Sequence, residues 1–210
     1  MKYDFQQTRK DLFDADFVIV RNGVQIGQVV IRDWTLATTG VIQGIFAGKQ
    51  FSLKRDPRLV NVLTPHDPEY RFMITIGGEN KGSVCHAELK RGLFRRISYD
   101  QMFLFGKQYQ RYGIGLGKDG NCSPIYAENR QIAQFSIDSE VIDERFQFHC
   151  AALNEDFGFA ALFFICYSYI STCYRPGEKV YKHIRKTYSK TTDSYELSFY
   201  DPGFITRIEE

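Results

Sequence analysis

Two stretches of this chain mix cations with apolar side chains, the combination that suits an anionic lipid surface. In Lys90-Arg91-Gly92-Leu93-Phe94-Arg95-Arg96 the charges flank Leu93 and Phe94 at a predicted turn. Guanidinium and ammonium groups there could meet head-group phosphates; a charged hairpin tip in water is the plainer alternative. The second stretch, Tyr174 to Lys190, holds six Lys or Arg against one acid. Tyr181, Ile184 and Tyr188 fall at i, i+3 and i+7, so a helix there would carry an aromatic stripe beside Lys179, Lys182, Arg185 and Lys186. The plainer alternative packs that stripe against the rest of the protein. The candidate anionic-lipid contacts are therefore Lys90, Arg91, Arg95, Arg96, Lys179, Lys182, Arg185 and Lys186.

Other chemistries find less support. Gly113-Ile114-Gly115-Leu116-Gly117 suggests a phosphate loop, but such a loop needs a following helix whose amides face the ligand. Lys118-Asp119-Gly120-Asn121 is another turn instead. Alternate glycines in a strand more simply admit a close neighbour, for which the apolar helix described below is the candidate. Cys85 and His86 are adjacent and point to opposite faces of a strand, and no His or Cys set has zinc-like spacing. There is no Gly-x-Ser-x-Gly elbow. The expectation is no catalytic residue, no cofactor and no metal. Lys and Arg number 27 against 25 Asp and Glu, a net +2 that is too even to predict a nucleic-acid partner. Five scattered cysteines without a Cys-x-x-Cys, and a first stretch with no apolar signal region, predict reduced thiols in a cytoplasmic protein.

A β-rich scaffold must position these groups. The 210 residues are enough to bury about 70% of the unfolded surface around one core, and 43% hydrophobic with 25% charged residues excludes a disordered or low-complexity chain. The 18 Phe and 13 Tyr favour pleated, half-buried surfaces. Turn residues cut the chain into about twelve strands: Asp16 to Val20, Gln25 to Arg32, Val41 to Phe46, Gln50 to Lys54, Leu59 to Leu63, Tyr70 to Ile76, Ser83 to Leu89, Ile97 to Phe105, Tyr109 to Gly117, Ser123 to Ala127, Gln131 to Ile137 and Arg145 to Leu153. Asn22-Gly23 supplies the positive φ of a tight primed turn.

The period then changes. From Phe157 to Cys173 there is neither charge nor proline, which predicts a helix apolar all round, with Asn154 as N-cap and Glu155 and Asp156 at the positive end of its dipole. Seventeen residues span roughly 25 Å, slightly short of a ~30 Å hydrocarbon layer. The helix therefore has two homes, the inside of the protein's own sheet or a bilayer. Ser168, Ser171, Thr172 and two tyrosines weaken its last turns as a lipid-facing surface.

The run Ile125-Tyr126-Ala127-Glu128-Asn129-Arg130-Gln131-Ile132-Ala133-Gln134-Phe135, then Phe146-Gln147-Phe148, Glu155-Asp156 and the apolar helix, resembles the tubby C-terminal-like superfamily, in particular its LURP-one-related and phospholipid-scramblase-like members. The resemblance covers roughly Phe17 to Ile170. It implies a closed antiparallel barrel of about twelve strands around a central hydrophobic helix, occupying 1–173, with 174–210 as an extension packed on it. Family members usually stop soon after the helix, so Tyr174 to Glu210 is a departure. The resemblance implies a non-enzymatic binding or structural module that contacts anionic phospholipid or a protein partner from the cytoplasm. The alternative is a membrane-anchored, scramblase-like protein with residues 157–170 in the bilayer. Tubby domains bind phosphoinositides through basic residues on the barrel surface, and none of those ligands maps onto a position here.

Overall fold

A computed structural model describes residues 1–34, 40–56, 71–91, 95–142, 145–174 and 183–209. Twelve antiparallel strands form a closed ring: β1 (Lys2–Lys10), β2 (Ala15–Arg21), β3 (Val24–Arg32), β4 (Val41–Phe46), β5 (Lys49–Arg55), β6 (Arg71–Ile76), β7 (Glu79–Arg91), β8 (Arg95–Leu104), β9 (Lys107–Arg111), β11 (Asn121–Ala127), β12 (Arg130–Ile137) and β14 (Gln147–Ala152). The ring closes where β9 pairs with β11 and where β1 pairs with β14, Phe5 opposite Phe148. One short strand, β10 (Ile114–Gly115), adds to β11 outside the ring, and β13 (Glu140–Ile142) pairs with β15 (His183–Arg185) separately. Closure removes the two margins that an open sheet of these strands would present.

The lumen is filled by α1 (Glu155–Ser168), which continues as a π-helical turn over Tyr169–Cys173. Asn154 caps it, accepting from the Phe157 amide at 2.9 Å. By length and composition Glu155–Cys173 could cross a membrane, but here the wall of the barrel surrounds it. Phe159, Leu162, Phe163, Phe164, Ile165, Tyr167 and Ile170 are buried, and Phe157 at the first turn is partly so. Gly158 is required by packing, since a Cβ there would lie 2.6 Å from the Tyr3 ring.

The number of ring strands agrees with the expectation from sequence, but the membership differs. β1 went unread because only Tyr3 and Phe5 mark its buried face among charged and amide neighbours. Its third inward position, Gln7, is a fully buried amide. Its Nε2 donates to the Tyr169 hydroxyl at 3.0 Å and its Oε1 accepts from the Phe146 amide at 3.0 Å, so β1, the helix and β14 are tied at one point. Leu59 to Leu63 lies outside the described residues. The strand expected over Tyr109 to Gly117 is broken: the ladder leaves β9 after Arg111. A Cβ on Gly115 would lie 1.9 Å from the Ser189 carbonyl oxygen and one on Gly117 3.7 Å from Lys190, so the close neighbour of these two glycines is the C-terminal segment and not the central helix.

Around Ile184 the sequence left helix or strand open, and the aromatic stripe was conditional on a helix. Residues 183–185 are a strand, with Ile184 opposite Val141; Lys179, Tyr181 and Lys182 lie outside the described residues. The chain then runs along the outer wall. Lys190 bridges to Leu116, the Thr191 hydroxyl accepts from the Gly115 amide, and Phe199 stacks on Tyr112 at 3.8 Å. Two short helices, α2 (Ser194–Leu197) and α3 (Phe204–Glu209), complete it.

On the wall near β13, His149 sits between two carboxylates, with Nδ1 2.7 Å from Asp4 and Nε2 3.0 Å from Asp138. Partial burial disfavours its charge, but the hydrogen bonds and fields of Asp4 and Asp138 prevail and hold its pKa above the ordinary 6.5. A pKa raised by folding stabilises fully below the unfolded value and stops doing so as pH rises through the folded value. His149→Gln should therefore lower the melting temperature at pH 5.5 and have a smaller effect at pH 8.5; equal losses at both would show that the imidazolium is not the stabilising species.

Candidate functional site

The two ends of the barrel differ. At the helix N-terminal end, five hairpins turn in two residues, at Asn22-Gly23, Ala47-Gly48, Gly77-Gly78, Phe105-Gly106 and Glu128-Asn129, all at positive φ. Such primed turns match strand twist and leave little chain for recognition. At the helix C-terminal end the fully described connections are longer, four residues at 11–14 and nine at 112–120. Long connections on a rigid scaffold are where binding groups concentrate, so this end is the mouth.

The β7–β8 hairpin extends beyond the wall at the mouth. β6 accompanies β7 only as far as Cys85, and β9 accompanies β8 only back to Asp100. Among the described residues, 86–91 and 95–99 pair only with each other. At ~3.3 Å per residue this arm projects roughly 16 Å. The register places Lys90 opposite Arg96, Glu88 opposite Ser98 and His86 opposite Asp100. Alternation puts all six on the face that continues into the lumen wall, in phase with Val84, Met102 and Leu104.

At the base of the arm is a buried charge cluster. Asp100 is only 3% exposed and forms an ion pair with Arg111 of β9. The other Asp100 oxygen lies 3.3 Å from His86 Nδ1. Arg111 Nη1 is 3.4 Å from the Ser123 hydroxyl of β11, and its Nε is buried without a hydrogen-bond partner among the described residues. Four neighbouring strands thus contribute one charged layer to a largely apolar lumen. Burying a carboxylate is tolerable only with such partners. Above this layer opens a cavity of about 460 Å³, closed on the far side by Tyr167, Ser171 and Thr172 from the end of the central helix.

The expected basic residues separate. Lys90 stands on the lumen-side face of the arm, with no ion-pair partner among the described residues, and Leu89, which is 41% exposed, is on the opposite face. Arg96 pairs with Glu88 at 3.0 Å. Arg91 turns outward, its guanidinium 4.0 Å over the Tyr195 ring of α2, and Arg95 lies opposite it in the ladder. Arg185 is exposed on β15. Lys186 is engaged, with Nζ 3.1 Å from Cys173 Sγ and 4.6 Å over the Phe146 ring. Lys179 and Lys182 lie outside the described residues. The basic run is therefore not one continuous patch.

No protein-family model, curated protein or solved structure matches this chain. Its site has to be read from its own side chains. Among the described residues no three His, Cys, Asp or Glu are grouped to hold a metal ion. The five cysteines are free and buried, and burial pushes the thiols of Cys122, Cys150 and Cys166 up to about 12.

The sequence reading weighed His86 only as a metal ligand and passed over Asp100 and Arg111. Their signal was phase: Asp100 falls in step with the apolar Met102 and Leu104, and Arg111 in step with Tyr109, at positions where an isolated charge would be costly.

Proposed function

We propose that this chain is a non-enzymatic, tubby-like binding module whose β7–β8 arm contacts an anionic phospholipid surface. The observation that carries the reading is the projecting arm, which presents exposed Leu89 on its outer face and, on its lumen-side face, Lys90 with no ion-pair partner among the described residues. A cation near an anionic leaflet contributes about 1 kcal/mol, and an apolar side chain entering the acyl boundary adds about as much again or more. Leu12 and Phe13, 52% and 42% exposed in the β1–β2 connection, offer further apolar contact at the same end. Arg9 there is surrounded by Asp11, Asp14 and Asp16, so the cationic contribution rests on the arm and on Arg185. The central helix favours this reading over bilayer insertion, because inserting it would empty the lumen and expose the ring's inner aromatic face.

Flotation tests it. The protein should rise with vesicles containing phosphatidylserine and stay behind with phosphatidylcholine alone. Leu89→Asp with Lys90→Glu should cut recovery about tenfold or more. Equal, negligible recovery with both vesicle types would remove the lipid reading.

A further inference from the structure

The polar cavity at the mouth has a hydrogen-bonding character that selects its ligand. Its size lies within the ~300–1,000 Å³ range of small-molecule sites. Each carboxylate of its lining is already paired, Asp100 with Arg111 inside the cavity and Glu88 with Arg96 just outside it. An added anion would meet the carboxylates of Asp100 and Glu88, and an added cation would meet Arg111; either would have to disrupt a pair. The helix side is rich in acceptors. The Ser171 and Thr172 hydroxyls both donate to the Ser168 carbonyl, at 3.3 and 2.6 Å, so their oxygen lone pairs remain for a guest. The wall side supplies donors on Arg111 and acceptors on Glu88, with the Ser98 hydroxyl able to act as either. The two helix hydroxyls belong to the π-helical turn, a rare conformation that recurs at functional sites.

We propose that this cavity binds a small, neutral, hydroxyl-rich molecule, a polyol or monosaccharide. Each ligand hydroxyl both donates and accepts, which matches a wall that offers donors and acceptors and whose carboxylates are already paired. The orientation follows from the walls. One edge of the ligand donates to Ser171, Thr172 and Glu88, and the other accepts from Arg111 and Ser98. His86, held by Asp100, lines the same cavity and reports on occupancy. The inference is independent of the lipid reading, which rests on Leu89 and Lys90 of the arm, neither of which lines the cavity.

The test uses the full chain with labelled histidine imidazoles, titrated in turn with myo-inositol, D-glucose and sorbitol. His149 on the outer wall is an internal control. At least one of the three should move the His86 resonances saturably and leave His149 unmoved. Ser171→Ala with Thr172→Val should weaken that binding about tenfold. Because those hydroxyls also satisfy a helix carbonyl, Ser98→Ala on the exposed arm provides a second variant, expected to weaken it severalfold while the fold is kept. Saturable movement of His86 by sodium phosphate or acetate but by none of the three would overturn the assignment in favour of an anion site. No movement with any of the three, or wild-type affinity in both variants, would overturn it outright.

Discussion

Phe163→Asp is expected to give no soluble, cooperatively melting protein. Phe163 is fully buried at the middle of the central helix, with its ring edge-on to Phe51 of β5 at 5.4 Å and to Phe159 one turn earlier at 5.0 Å. Removing an aromatic side chain of this kind costs about 3 to 5 kcal/mol in cavity and lost transfer energy. The carboxylate then meets a lumen layer with no donor, which adds several kcal/mol more. The sum rivals the whole stability of an ordinary domain, ~5 to 15 kcal/mol. Thermal unfolding monitored by near-ultraviolet circular dichroism decides it. A wild-type transition would mean that this position faces solvent and that the helix is not the core of the ring.

The second large effect is expected at Arg111. Arg111→Met leaves the Asp100 carboxylate buried with His86 as its remaining described partner, and breaking a buried pair in this way costs about 3 to 5 kcal/mol. In a chain of this size that is a fall of roughly 10 °C in melting temperature. The informative variant is the double one. Asp100→Leu with Arg111→Met removes both charges and should recover most of the loss, because the destabilisation comes from the orphaned carboxylate rather than from the absent pair. If the double variant is as unstable as the single, the polar layer is holding the ring together by shape, and its charges are incidental.

These two sites show which parts of the structure were legible in advance. A core made of one uncharged, proline-free run declares itself, because no soluble surface tolerates Phe159, Leu162, Phe163, Phe164 and Ile165 in succession. Asn154 with two acids behind it fixed the helix start, and Asn22-Gly23 fixed the first hairpin. β1 stayed hidden because its burial pattern rests on Tyr3, Phe5 and an amide whose partners, Tyr169 and Phe146, are far away in sequence. The polar layer stayed hidden for the same reason. His86, Asp100, Arg111 and Ser123 converge only through the strand register, and one strand alone does not reveal its neighbour's polar residue. The cationic run after the helix was legible as composition but not as conformation. A β-partner at Glu140–Ile142, opposite 183–185, outweighed a three-residue helical stripe.

The ring's last seam has a consequence for how the molecule comes into being. Lys2 lies opposite Ala151 and Gln6 opposite Gln147, so the first strand made waits for nearly the last. Until β14 and the helix behind it leave the ribosome, the growing sheet is an open gutter with an uncovered aromatic floor and two unpaired margins, the state most exposed to sticking. Because the seam joins such distant parts of the chain, its loop-closure entropy is met late and folding is slow for the size. The helix that fills the finished barrel is therefore also the piece whose arrival ends that exposure.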